Sequence, residues 1–102
     1  MESQEPKTLV ELFSVENSWT QHKYARDING ASTRPESPEA TCWCISGGIR
    51  RIYDVGNERS HLVYRRLAEA TLRLGYEEPS AWNDDKKTTR EQVVSLCEQL
   101  KI

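Results

Sequence analysis

Cys42-Trp43-Cys44, His61 and Trp82-Asn83-Asp84 are the residues in this chain whose types could do chemistry. A thiol, an imidazole and a carboxamide make a nucleophilic set in which Cys44 attacks, His61 takes the proton and Asn83 orients the ring. Such a set needs closeness in space, and the spacing of the three residues supplies none. The competing reading is a core thiol, a surface histidine and a turn asparagine. Cys42 and Cys44 also resemble a metal or redox pair that Cys97, His22 and His61 could complete. On a helix, side chains two apart diverge by roughly 200°, so neither a disulfide nor a shared zinc follows. A free thiol more commonly serves as a small buried hydrophobe. No cofactor and no metal are expected.

Trp82-Asn83-Asp84 admits two readings. As scaffold, Trp82 buries its ring as the anchor of a long loop. Asn83 and Asp84 then form Asx turns that steer the chain into the cap of the last helix. As a site, Asn83 and Asp84 are polar groups in a cleft beside an aromatic wall. A second candidate is the helix face that carries His61, Tyr64 and Arg65, with Arg59, Arg66 and Arg73 repeating every seven residues nearby. It could receive a phosphate, a nucleic acid or an acidic protein surface, or be a solvated face with charge pairs four residues apart.

The elements that must position these residues are helical. Thr8 and Glu11 have the spacing of a capping box, and Leu9, Leu12, Phe13 and Trp19 follow at helical intervals, which predicts a helix over about residues 8–19. Residues 20–36 read as a long loop with a strong turn at Asn29-Gly30 and a short helical turn near Tyr24–Asp27. Ser37 as N-cap and Pro38 at the first helical position open a second predicted helix that ends near Asp54. Gly47 and Gly48 within it cost about 1 kcal/mol each relative to alanine, a cost that close approach of another helix can offset.

Val63, Leu67, Ala70 and Leu74 form the stripe of a third helix that Gly75 terminates. Arg65, Glu69 and Arg73 are spaced to pair on its outer side. After a loop over 76–87, Thr88 with Glu91 or Thr89 with Gln92 caps a fourth helix bearing Val93, Leu96, Cys97 and Leu100. The expected fold is all-α: one domain over residues 1–102, a compact bundle of about four helices with a long loop after helix one. Residues 1–7 are expected to be flexible.

Composition narrows the class. Leu, Ile, Val and Phe number 20 of 102 residues, so the core is thinly stocked, while three Trp and four Tyr add apolar mass. The net charge is −2, but residues 50–75 carry six arginines against three acids. Nucleic acid is therefore a candidate partner through the Arg50–Arg73 segment, though not a favoured one, because the chain as a whole is acidic. Three cysteines and no leader-like start point to a reduced, cytoplasmic setting. No apolar run approaches the ~20 residues that span a bilayer. Glycine-rich phosphate loops, His-Glu-x-x-His, Cys-x-x-Cys and nucleophile elbows are absent from the sequence, so most well-marked enzyme classes are disfavoured.

Several of these residues recur in one order: Trp19; Ala25, Asp27 and Gly30; Trp43, Cys44, Ile45, Gly47 and Gly48; Trp82-Asn83-Asp84; then Thr89 and Val93. That order resembles a family of small uncharacterised bacterial and phage helical proteins, over about residues 9–100. Gln92 stands where the family carries an acid, and Gly48 where alanine is commoner. The resemblance implies a compact helical domain, often in phage or mobile-element settings and with no assigned activity. It also implies that Trp82, Trp43 and Cys44 belong to one shared architecture.

Two functions are expected from this. The leading one is a non-enzymatic binding protein that regulates or inhibits a macromolecular partner, such as a host protein met by a phage. The alternative is a small-ligand or nucleotide-derivative binder, which could also be an enzyme, with a cleft near Trp82, Asn83, Asp84 and the Cys44/His61 region.

Overall fold

Thr8 opens the first helix as its spacing to Glu11 requires. In the computed structural model, which describes residues 5–54 and 56–102, the Thr8 hydroxyl accepts the Glu11 N–H at 3.1 Å. The Glu11 carboxylate reaches the Lys7 N–H instead of closing the box on Thr8. Helix α1 spans Leu9–Ser14 and buries Leu9, Leu12 and Phe13. It does not continue to Trp19: the apolar face ends at Phe13, Val15 is extended, and Asn17 adopts a left-handed φ of 64° that asparagine tolerates better than most residues. The expected flexibility of residues 1–7 falls, for residues 1–4, outside the described residues.

The long segment after α1 contains a strand where a helical turn was expected. β1 (Ala25–Arg26) pairs antiparallel with β2 (Cys42–Trp43), Ala25 opposite Trp43. Ser37-Pro38-Glu39, which reads as a helix start, is a turn. The Ser37 hydroxyl accepts the Glu39 N–H at 3.1 Å and its carbonyl accepts the Ala40 N–H. A capping residue satisfies a turn as readily as a helix, and here the extended chain beyond finds partners. The Trp43 N–H donates to the Ser18 carbonyl at 2.8 Å, and the indole N–H to the Pro35 carbonyl at 3.0 Å.

Helix α2 therefore begins late, at Ile45–Ile52, with Cys44 as N-cap. Its two glycines are sites of close approach. A Cβ at Gly48 would stand 2.7 Å from the Phe13 ring, so α1 packs on α2 as expected. A Cβ at Gly47 would stand 1.9 Å from the Tyr24 carbonyl oxygen, so there the neighbour is the backbone of the 20–36 segment.

Helix α3, Glu58–Arg73, starts at Asn57, whose side chain accepts from the Arg59 and Ser60 amides. Val63, Leu67 and Ala70 are buried, but Leu74, expected as the end of that stripe, is 55% exposed. The chain turns away there through Gly75, with φ at 98°, and the Tyr76 N–H returns to the Thr71 carbonyl. Among the described residues, Arg65, Glu69 and Arg73 form no ion pair.

The predicted loop over 76–87 holds a short helix, α4 (Pro79–Asn83), with Pro79 in its first turn. Five residues are too few to leave a periodic signal. Helix α5, Arg90–Leu100, carries the full Thr89/Gln92 capping box. Thr88 is instead buried and donates to the Trp82 carbonyl at 2.7 Å. Val93 and Cys97 are buried on α5. The Ile102 carbonyl accepts the Leu9 N–H at 2.7 Å, which holds α1 against the end of α5 and satisfies one of the orphan donors of α1. Among the described residues the result is a mostly helical domain of five helices and a two-residue ladder, with its core at Leu9, Phe13, Ile45, Leu67, Trp82 and Val93. Among the described residues no helix is long and apolar enough to cross a membrane.

Candidate functional site

Asn83 ends α4 with no exposed surface, and its carboxamide is the joint of three chain segments. Oδ1 accepts the Trp19 indole N–H at 2.7 Å and the Ile45 backbone N–H at 2.9 Å. Nδ2 donates to the Thr20 carbonyl at 3.1 Å and to Asp84 Oδ1 at 3.0 Å. Two acceptor positions and two donors are thus all used, the full capacity of the group. Gln21 adds two bonds from its Nε2, to the Asn83 and Asp85 carbonyls at 3.0 and 2.9 Å. The clasp expected here exists, but it is long-range. Asn83 and Asp84 hold residues 19–22 and the start of α2, and do not steer the chain into α5. That local task falls to Asp85, whose carboxylate accepts the Lys87 N–H at 2.8 Å and the Tyr76 hydroxyl at 2.8 Å. These two donors hold the Asp85 carboxyl below the usual range, and the Tyr76 phenol is raised in return, chiefly by that bond.

Asp84 faces the other way. Oδ1 accepts the His22 backbone N–H at 2.9 Å, and Oδ2 lies 3.8 Å from the imidazole Nδ1. His22 has φ at 70°, a left-handed conformation that costs a non-glycine residue roughly 1–2 kcal/mol. Gln21 and Asp84 hold it there. The effect is to place an imidazole beside a carboxylate at the rim of an open cleft of about 800 Å³.

The walls of that cleft come from four parts of the chain: His22–Tyr24, the face of α2 with Ser46 and Arg50, the first turns of α3 with His61 and Tyr64, and α4 with Asn83 and Asp84. Such a volume suits a small molecule, since ligand pockets measure about 300–1,000 Å³. Cys44, His61 and Asn83 all line it, so the fold brings together the three side chains whose spacing supplied no proximity. It does not assemble them into a nucleophilic set. Asn83 has no donor or acceptor left over. The Cys44 thiol is pushed up in pKa by burial, against the pull of the Gly47 and Ser46 amides and with the Asp84 charge adding to the rise. It accepts the Gly47 N–H at 3.3 Å and serves as the cap of α2.

The remaining candidates separate. Trp82 is buried, 5% exposed, and lines a shallow depression with Leu74, Tyr76 and Leu96, away from Asp84's cleft. Arg65 shares a second shallow depression with Glu58, Arg59, His61 and Leu62, on the first turns of α3. Arg66 is exposed and lines neither cleft. The two-apart argument for Cys42 and Cys44 rested on a helix that does not exist there: Cys42 lies in β2 and Cys44 caps α2. Both are free thiols, as is Cys97. Among the described residues no group of three or more His, Cys, Asp or Glu side chains could hold a metal ion. Sequence reasoning missed His22 and Arg50 as cleft residues. No local pattern marks either one, because their place depends on the clasp and on where α2 starts.

No curated protein and no solved structure matches the chain. A family model does, over residues 11–100. That span takes in α1 from Glu11 onward, the clasp, every wall of the cleft and α5, and the chain belongs to the family of unknown function DUF6197.

Proposed function

We propose that the protein is a non-enzymatic binding protein whose site is the cleft between α2, α3 and α4, and that its ligand is a small molecule. One observation carries this reading. Asn83 and Gln21 spend six hydrogen bonds on fixing the rim of an 800 Å³ cleft, so the site is formed before any ligand arrives, and preorganisation of that kind lowers the entropic cost of binding. The raised thiol pKa of Cys44 and the fully engaged Asn83 favour binding over nucleophilic catalysis. A bacterial or phage origin and a cytoplasmic setting belong to the same reading, supported by the motif order around Trp43, Cys44 and Trp82 and by three free thiols.

A thermal-shift screen of nucleotides, cyclic dinucleotides and small carboxylates tests it, because a ligand specific for the folded state raises the melting temperature. Hits are expected to perturb amide resonances of Tyr24, Ser46 and His61. Stabilisation by no compound in the screen would overturn the reading.

Regulation or inhibition of a macromolecular partner, the leading expectation from sequence, becomes the second reading. The outer face of α3 supports it: Leu62 and Leu72 are exposed, 52% and 65%, among Arg65, Arg66 and Arg73. Charge reversal at Arg65 and Arg66 should abolish association with an acidic partner while leaving cleft binding intact. Nucleic acid is less favoured, since Arg51 spends its guanidinium internally on the Pro35 and Ser37 carbonyls.

A further inference from the structure

Cleft binding, on which this inference rests, leaves open what kind of molecule the cleft takes, and the hydrogen-bond state of its charged groups answers that. Each of the two acids of the lining already has one oxygen engaged. Asp84 Oδ1 accepts the His22 N–H and the Asn83 carboxamide, and Glu78 accepts the Ser80 hydroxyl. Arg50, a cation on the α2 wall, is not so engaged. Arg50 is held with its guanidinium over the Tyr24 ring, 4.8 Å from the centroid. Among the described residues no carboxylate lies within ion-pair distance of it, and it donates no hydrogen bond.

The contrast with its neighbours is instructive: Arg51 is also stacked, 5.2 Å over Trp43, yet donates twice to backbone carbonyls. Arg26 donates to three oxygens. Arg50 is thus a stacked guanidinium, oriented by the protein, whose five donors are unspent. Ser46 lies four residues earlier on the same face of α2, and both line the cleft, as neighbours on a helix do. Lys23, beside Tyr24 in sequence, lines it too. Tyr53 and Tyr64 supply aromatic lining beyond them.

We infer that the cleft takes a small organic anion, with its phosphate or carboxylate on the Arg50 guanidinium and Ser46 and its body against the tyrosines. A guanidinium fork pairs bidentately with two oxygens of a carboxylate or a phosphate. Among the described residues Arg50 has every donor free while each acid has one oxygen occupied, and that imbalance favours an anion over a cationic ligand.

The test uses the full chain, labelled with nitrogen-15, and paired probes that differ in the anionic group: adenosine monophosphate against adenosine, benzoate against benzamide, and inorganic phosphate alone. The charged member of at least one pair should bind roughly tenfold to a hundredfold tighter than its neutral partner, the ratio expected of a charge-assisted bond. The Ser46 amide and the Arg50 side-chain signal should shift. Arg50→Gln should erase that preference with the thermal midpoint unchanged, and Arg66→Gln should leave it intact. Whichever pair responds tells phosphate from carboxylate.

Equal binding of charged and neutral probes in the cleft would overturn the inference while cleft binding itself stands. An unchanged preference in Arg50→Gln, or the same loss in Arg66→Gln, would also overturn it. No perturbation of any cleft residue by any probe, neutral ones included, would overturn the inference and the binding reading together.

Discussion

The clasp around Asn83 and the cleft wall around Arg50 lie side by side, joined through Ile45 at the start of α2, yet the fold treats their polar groups in opposite ways. Asn83 is fully buried and every donor and acceptor on it is matched. Arg50 is exposed, oriented by one ring, and without a hydrogen bond among the described residues. Buried polar groups must find partners inside the protein because an unmade bond there costs about 1–3 kcal/mol. A group at a cleft rim is under no such constraint and can wait for a ligand. The difference teaches that the Trp-Asn-Asp box is not one feature. Trp82 and Asn83 are framework, and Asp84 is the point where framework becomes rim.

Breaking the clasp should have the largest effect. Asn83→Ala strands the Trp19 indole N–H, the Ile45 amide and the Thr20 carbonyl together, and a loss of about 3–5 kcal/mol is expected in chemical denaturation. Stability within 1 kcal/mol of the parent would mean that the clasp is not holding the rim. Gly47→Ala attacks the joint from the other side, because its Cβ would press on the Tyr24 carbonyl that accepts the Cys44 amide. Backbone there cannot give way cheaply, and a cost of about 1–3 kcal/mol is expected, with Tyr24 displaced from the cleft.

Acid should loosen the same region more gently. The folded Asp85 carboxyl titrates below its ordinary value of 3.8, because of the Lys87 amide and the Tyr76 hydroxyl. Its contribution is therefore present above the unfolded value and is lost as pH falls through the folded one. Tyr76, raised by the same bond, contributes below its ordinary range and loses that contribution as pH rises through the raised value. Resonances of the Lys87 amide and Tyr76 should accordingly be constant near neutral pH and move together in acid. Movement of either one near neutrality would contradict the assignment. The smallest effect is expected at the wall: Arg50→Gln should change stability by less than about 0.5 kcal/mol, since that side chain is exposed and its one contact of note is the Tyr24 ring. A larger loss would make Arg50 framework as well and remove the contrast with Asn83.

Local chemistry alone determined a good deal of this protein. Thr8 and Thr89 mark helix starts, Gly75 ends α3, and the stripe Val63, Leu67 and Ala70 faces the core, because capping and helical periodicity are settled within a few residues. Burial of Trp82 and close approach at Gly48 followed from the same reasoning, as did a helical domain with a long second segment. Tertiary structure decided the rest. Ser37-Pro38-Glu39 carries a helix-start signal that the fold uses as a turn, since the backbone of Cys42 and Trp43 finds its partners at Ser18 and Arg26.

Asn83 shows the same limit at the site. Its residue type announces a group that must be hydrogen-bonded, but whether to its own loop or to residues more than 60 positions away depends on which segments the core draws together. The cleft, with His22, Arg50 and His61 on its walls, exists only after that choice, because no stretch of the chain contributes more than one wall of it.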